Sequence, residues 1–151
     1  PRTDRTPLPG AVGWPADDDA RPVVEATLAA SGGRLSEASA TLLANTYGMR
    51  AADLARRFCA EGDGNEPLIE GRPEVLAQVD WAIEEELAAS VTDVLLRRTQ
   101  LFFRDREQGL DAAPKIASRM AHRLGWDEAR EREELAGYEA EVARSRAWRA
   151  E

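Results

Sequence analysis

The sequence predicts an all-α fold, an irregular bundle of about six to seven helices in a single domain. Three observations point there. Apolar residues recur at three- to four-residue spacing through most of the chain, as on one face of a helix. Glycine and proline gather at the ends and between segments rather than inside them. No segment alternates as a half-buried strand would, because Val23-Val24 and Leu101-Phe102-Phe103 are short and have helical flanks. A chain of 151 residues that is 43% apolar fits one folded domain. At that length about two-thirds of the unfolded surface can be hidden, enough for a core without disulfide or metal staples.

Residues 1–20 read as an irregular lead-in and 21–151 as a helical domain. Pro7, Pro9, Gly10, Gly13 and Pro15 break any regular element in the lead-in, and Asp17-Asp18-Asp19 is a short acidic run. A first helix over 22–30 stops at Ser31-Gly32-Gly33. Ser36 caps a second that runs to about residue 47, with Gly48 placed for a left-handed C-terminus. The third covers about 51–60, its face marked by Leu54, Ala55, Phe58 and Cys59, and a loop over 62–67 follows. Pro73, after Gly71, suits the first turn of a fourth helix. Leu76, Val79, Ile83 and Leu87 mark one face of it, with Asp80, Glu84 and Glu85 largely off that face. Thr92 is expected to cap a fifth helix over 93–103 after a bend. A turn over 105–109 leads to helices over about 112–124 and 128–148, with Gly125 closing the former and Asp127 capping the latter.

Charge and cysteine content narrow the function classes. Twenty basic and 28 acidic residues leave a net charge of -8, which opposes binding to a phosphate backbone. No nucleic-acid partner is expected, although Arg50, Arg56 and Arg57 could serve a helix-turn-helix. The single cysteine, Cys59, makes no internal disulfide and suits a reducing, cytoplasmic compartment. No apolar run approaches the ~20 residues that span a bilayer. The loop-like start without Met suggests a piece of a longer polypeptide.

The densest chemistry lies in 81–99, WAIEEELAASVTDVLLRRT. Glu84, Glu85 and Glu86 point about 100° apart on a helix, so they cannot converge on one substrate atom. They read as a solvated face with one member, best Glu86, turned inward to an arginine. Asp93 and Arg97 stand four apart in the favourable acid-first order. Arg97, Arg98 and Thr99 could bind a phosphate through bidentate forks, or fix their helix to a carboxylate on a neighbouring helix or domain. The structural role is preferred, with Glu85 or Glu86 as the partner.

Other candidates fall away. Asp63-Gly64-Asn65 with Glu74 resembles a calcium loop, but Leu68 stands where that loop needs glycine. His122, the only histidine, has neither zinc-ligand spacing nor a nucleophile beside it. No glycine-rich dinucleotide or phosphate fingerprint is present. On these residues alone the chain is an acidic helical domain without catalytic, cofactor-binding or metal residues.

Residues 77–99, AQVDWAIEEELAASVTDVLLRRT, resemble a motif of the C-terminal helical domain of FAD-dependent glycerol-3-phosphate dehydrogenases and alpha-glycerophosphate oxidases. Glu86, Ala88, Asp93, Leu95, Arg97, Arg98 and Thr99 fall on that motif without a gap. Leu8-Pro9-Gly10, Tyr47-Gly48 and Leu124-Gly125-Trp126 resemble further family signatures, in order, over nearly the whole chain. Two departures stand out. Gln78 occupies a usual Glu position, and Met49 follows the Tyr-Gly pair where Ser is usual.

The resemblance implies a parent enzyme that oxidises sn-glycerol 3-phosphate to dihydroxyacetone phosphate. FAD would be in the parent and not in this segment. Electrons would pass to a membrane quinone, or to oxygen as in the oxidases; the quinone route would place the parent on the inner face of the cytoplasmic membrane as a peripheral protein. The partner of this domain would be the N-terminal FAD-binding domain of the same polypeptide. Glu85, Glu86, Asp93, Arg97, Arg98 and Thr99 would be structural and interdomain residues. A docking face left bare would also let copies associate into a homo-oligomer. The competing expectation is a self-standing helical adaptor with a closed surface.

Overall fold

In the computed structural model of the chain, residues 5–150 are described, so the first four residues of the expected lead-in lie outside the described residues. Seven α-helices appear among them and no strand; the single strand-like feature is an isolated antiparallel bridge between Pro67 and Val75. The fold is all-α. The contacts gather into two compact units. One holds the chain up to Pro67 together with Pro73–Ala77, and the other holds Leu68–Arg72 and the chain from Gln78 onward.

In the first unit, a 3-10 turn at Pro9–Ala11 precedes α1 (Arg21–Ala30), α2 (Glu37–Tyr47) and α3 (Ala51–Phe58). Pro22 sits in the first turn of α1, where a missing N–H costs nothing. Asp19 accepts the Arg21 amide ahead of it. Ser36 caps α2 by accepting the Ser39 amide at 3.0 Å. α1 packs on both α2 and α3, and Val23, Leu43, Ala44, Leu54, Ala55 and Cys59 are buried. The small residues Ala40, Ala44, Ala51 and Ala55, all fully buried, allow close helix approach.

Gly10 and Gly48 explain two short signatures at once. Gly48 has φ +59°, and a Cβ there would lie 2.2 Å from the Gly10 carbonyl oxygen. A Cβ on Gly10 would lie 2.6 Å from the Tyr47 oxygen. The Leu-Pro-Gly turn and the Tyr-Gly helix end are therefore in backbone contact, and a side chain at either position would separate them. The lead-in is therefore held against the end of α2 at Gly10.

The fourth helix starts later than its proline suggests. α4 is Ala77–Glu86, and Pro73 lies outside it. The Leu76 amide donates to Glu66 O at 2.9 Å and the Ala77 amide to Gly64 O at 2.8 Å. With Val75 bridged to Pro67, residues 73–76 are held to the 62–67 loop and cannot close a helical turn.

The second unit continues from α4 through a π-helix at Asp93–Arg98, α5 (Leu101–Arg104), α6 (Ala113–Leu124) and α7 (Glu128–Arg146). The expected single helix over 93–103 is thus two elements, parted at Gln100, whose φ is +58°. α6 packs on α7, and Trp81, Leu95, Leu101, Ile116, Met120 and Tyr138 are fully buried. Gly125, at φ +71°, closes α6 while the Trp126 amide donates back to Ala121 O at 3.0 Å. Asp127 then caps α7 through the Arg130 amide at 2.8 Å. Leu87, expected on the apolar face of α4, lies instead just past its end and is exposed.

Gly48→Ala is expected to cost about 3 kcal/mol, from left-handed backbone strain plus the clash with Gly10. Gly32→Ala, also at positive φ but in open space, should cost only about 1 kcal/mol from the strain alone. Thermal unfolding of the two variants checks the difference; equal losses would remove the Gly10–Gly48 contact as a constraint.

Candidate functional site

The six residues singled out in the sequence lie in the second unit, at the end of α4 and along the π-helix. The turn into the π-helix is built by a reciprocal cap. The Asp93 carboxylate accepts the Ala89 and Ser90 amides, each at 3.1 Å, while Ser90 Oγ accepts the Asp93 amide at 3.1 Å. Thr92, expected as the cap, makes no side-chain cap bond. The Ser-x-x-Asp spacing at 90–93 is the sequence signature of this cap, and it is stronger than an isolated threonine because it satisfies donors in both directions.

Asp93 also accepts from Arg97 Nη1 at 2.8 Å. Its burial acts to raise the carboxyl pKa. The Ala89 amide, the Ser90 hydroxyl, the Arg97 charge and the Ser90 amide together outweigh that and hold it below the usual carboxylate range.

Arg98 reaches back across twelve residues. Its Nη2 donates to the Glu86 backbone oxygen at 2.8 Å, and its Nε lies 3.1 Å from Glu86 Oε2. One guanidinium therefore holds both the last carbonyl of α4 and its last side chain. Thr99 is buried, with its hydroxyl and its amide both donating to Val94 O at 2.9 Å. That bond spans five residues, which is the π-helical pattern. The structure thus brings Glu86 to Arg98 and Asp93 to Arg97. Thr99 is turned inward, away from both arginines' partners. Glu85 is exposed.

A charged cluster that the apolar-face reading left on the surface lies within the same unit. Asp80 is 2% exposed, with Arg119 Nη2 at 3.1 Å and Arg123 Nε at 3.5 Å, both from α6. Arg123 also pairs with Glu84. The hint in the sequence is that Asp80 sits between Val79 and Trp81, both buried. On α7, Glu134 accepts the Val91 amide at 3.0 Å and binds Arg130 at 2.5 Å, tying that helix to the capped turn.

Asp80, Glu84, Glu86, Asp93 and Glu134 are each engaged by an arginine or a backbone amide, and among the described residues no group of three metal-ligating side chains occurs. No described helix is long and apolar enough to cross a membrane. Arg56 and Arg57, weighed as nucleic-acid contacts, both pair with Asp53 on their own helix. Among the described residues no strand leads into a helix, so the glycine-rich strand-to-helix turn that receives a dinucleotide pyrophosphate is not found there.

Comparison with known proteins accounts for the arrangement. Residues 1–131 match the family model for the C-terminal domain of alpha-glycerophosphate oxidase. The chain belongs to this family. It is 38% identical over 101 residues to a probable mitochondrial glycerol-3-phosphate dehydrogenase of Dictyostelium discoideum, covering 67% of this chain and 16% of that protein. It is 35% identical over 97 residues to the mitochondrial glycerol-3-phosphate dehydrogenase of Rattus norvegicus, covering 62% and 13%. A glycerol-3-phosphate dehydrogenase of Synechocystis is 28% identical over 120 residues, covering 80% and 21%. The chain therefore spans only about a sixth of the length of these relatives.

Within this C-terminal domain the family signatures each meet a backbone requirement. Leu-Pro-Gly and Tyr-Gly form one contact, Leu-Gly-Trp closes α6, and the long central motif builds the end of α4, the cap and the π-helix. The two departures differ in setting. Gln78 is buried, whereas Met49 is exposed.

Arg98→Ala is expected to cost more than Glu86→Ala, because only the first removes the bond to the Glu86 carbonyl. A double-mutant cycle on the two should give a coupling of about 1 kcal/mol. Zero coupling in urea unfolding would dismiss the side-chain pair.

Asp93→Asn should cost about 1 kcal/mol at neutral pH through the weakened cap. The folded pKa of Asp93 lies below its unfolded value of about 3.9. The ionic part of its stabilisation is thus complete above that pH and lost as pH falls through the folded value. The gap between wild type and Asp93→Asn should narrow below about pH 4 and stay constant above it. A gap that widened in acid would contradict the assignment.

Proposed function

We propose that this chain is the non-catalytic helical domain of a larger flavoenzyme that oxidises sn-glycerol 3-phosphate to dihydroxyacetone phosphate. The observation that carries the reading is the family match over 1–131, joined to relatives named glycerol-3-phosphate dehydrogenase. In this reading, residues 1–20 lead in from an N-terminal FAD-binding domain and 21–151 are the C-terminal helical domain. FAD and the substrate are held by the rest of the polypeptide, in keeping with side chains here that engage one another. Electrons pass from the flavin to a membrane quinone, and the parent acts as a peripheral protein on the inner face of the cytoplasmic membrane.

The role of this domain is structural. Arg98 and Glu86 fix the end of α4, and Asp93 caps the turn that carries Arg97. Arg97, half exposed beside Asp93, is the side chain of this set best placed to anchor the FAD-binding domain, and Glu85 is likewise exposed. Thr99 holds the π-helical bond behind them. The same exposed surfaces permit a homo-oligomer of the parent.

The test is to produce the complete polypeptide that contains this segment and the 151-residue chain alone. The complete protein is expected to be yellow, to lose its flavin absorbance on adding glycerol 3-phosphate without oxygen, and to reduce a quinone analogue. The 151-residue chain should be colourless and inert. A complete protein with no flavin, or a flavin that glycerol 3-phosphate does not reduce, would overturn the reading.

A further inference from the structure

Leu87 is held in a conformation that its own side chain disfavours, and it is presented to solvent. Its φ is +56°, and it is 85% exposed. A left-handed backbone costs a residue with a Cβ roughly 1–2 kcal/mol, and a branched or bulky residue there is a genuine outlier. The other non-glycine residues with positive φ among the described residues are Asp18, Gln100 and Gln108, all polar. The left-handed positions that follow α2 and α6 are taken by Gly48 and Gly125. Leucine at the equivalent place after α4 is therefore the exception.

The turn is not a frayed helix end. On one side Arg98 holds the Glu86 carbonyl and carboxylate. On the other, Ala88 is buried and its amide donates to Ala82 O at 2.8 Å. The backbone is fixed on both flanks while the isobutyl group between them points outward. The fold spends strain and a clamp on displaying one apolar side chain, and observed strain of this kind is a pointer to function.

We infer that Leu87 is a docking residue, buried in the complete protein against the polypeptide that precedes this domain. The occupant follows from the family. The matching model is that of a C-terminal domain, and the aligned region is 16% of the Dictyostelium relative and 21% of the Synechocystis one, so most of the chain that could cover Leu87 lies outside these residues. The inference rests on the reading of the chain as one domain of that longer protein, and adds the contact that joins them.

Leu87→Cys in the complete polypeptide carries the test, with Glu128→Cys as a control at a side chain 92% exposed. Maleimide labelling, read peptide by peptide, is expected to be an order of magnitude slower at position 87 than at 128. A benzophenone attached at 87 after longer labelling should crosslink to a peptide N-terminal to this domain. Equal labelling rates overturn the inference, as does a crosslink confined to these 151 residues or to a second copy. Glycerol 3-phosphate oxidation by the unmodified polypeptide is measured in parallel. Activity with an unprotected position 87 defeats the docking contact alone, whereas a protected position 87 in an inactive protein defeats the enzymatic reading alone.

Discussion

Asp80 imposes the strongest constraint on the second unit. Its carboxylate is almost wholly out of solvent, between buried Val79 and buried Trp81. A buried carboxylate without counter-charge is costly by several kcal/mol, so any arrangement that turns α4 inward at this face must bring cations to it. Arg119 and Arg123 on α6 do so, four residues apart and hence on one face. Their side chains remain partly exposed, so each keeps some hydration while neutralising Asp80. This matters for specificity more than for gross stability, since an apolar group of the same size would pack as well. Rotating or sliding α6 relative to α4 would strand the charge, and that selects one register among the several that apolar packing alone would tolerate.

The arrangement at the end of α4 depends on the same register. Once α4 is fixed by Asp80, Glu86 is placed where Arg98 can reach it. Arg98 in turn requires the chain to return after twelve residues, which the Ser90–Asp93 cap makes possible by turning the backbone sharply. The π-helix widens the following turn so that Thr99 bonds back to Val94 and becomes buried. Each step uses a charge or a cap to satisfy a backbone group that would otherwise be left over at a helix terminus. Leu87 is the residue left outside this chain of requirements.

How much of this was legible depends on the range of the interaction. Ser36, Gly48, Gly125 and Asp127 act within four residues, and local rules place all four helix ends correctly. Pro73 misleads because its preference for a first helical turn is overridden by the 62–67 loop, whose carbonyls take the Leu76 and Ala77 amides. Leu87 misleads because Leu76, Val79, Ile83 and Leu87 keep helical spacing, while the helix itself is ended at Glu86 by an arginine twelve residues on. Asp80 was placed off the apolar face by spacing alone, and spacing carries no information about two arginines some forty residues away. At the candidate site the acid-first pair of Asp93 and Arg97 was readable, and so was the pairing of Glu86 with an arginine. Glu85, the second candidate for that pairing, is exposed one 100° step round the helix. The inward turn of Thr99 was hidden because π-helical bonding leaves no period in so short a segment.

Several polar groups of the domain are engaged with one another rather than with solvent. A reactive carboxylate needs a free lone pair aimed at a substrate, and a reactive base needs access to a proton. Asp93 and Glu134 spend their oxygens on amides and guanidiniums, and the Tyr138 hydroxyl, whose pKa burial pushes up, donates to the Gln108 carbonyl. Such groups are rigid because they are satisfied. Rigidity of this kind is what a domain needs if its exposed residues are to meet another surface in one orientation, since a contact residue on a loose helix end loses affinity to the entropy of ordering it. The strain at Leu87 fits that logic: it is tolerable only because Arg98, Glu86 and Ala88 leave the backbone no alternative.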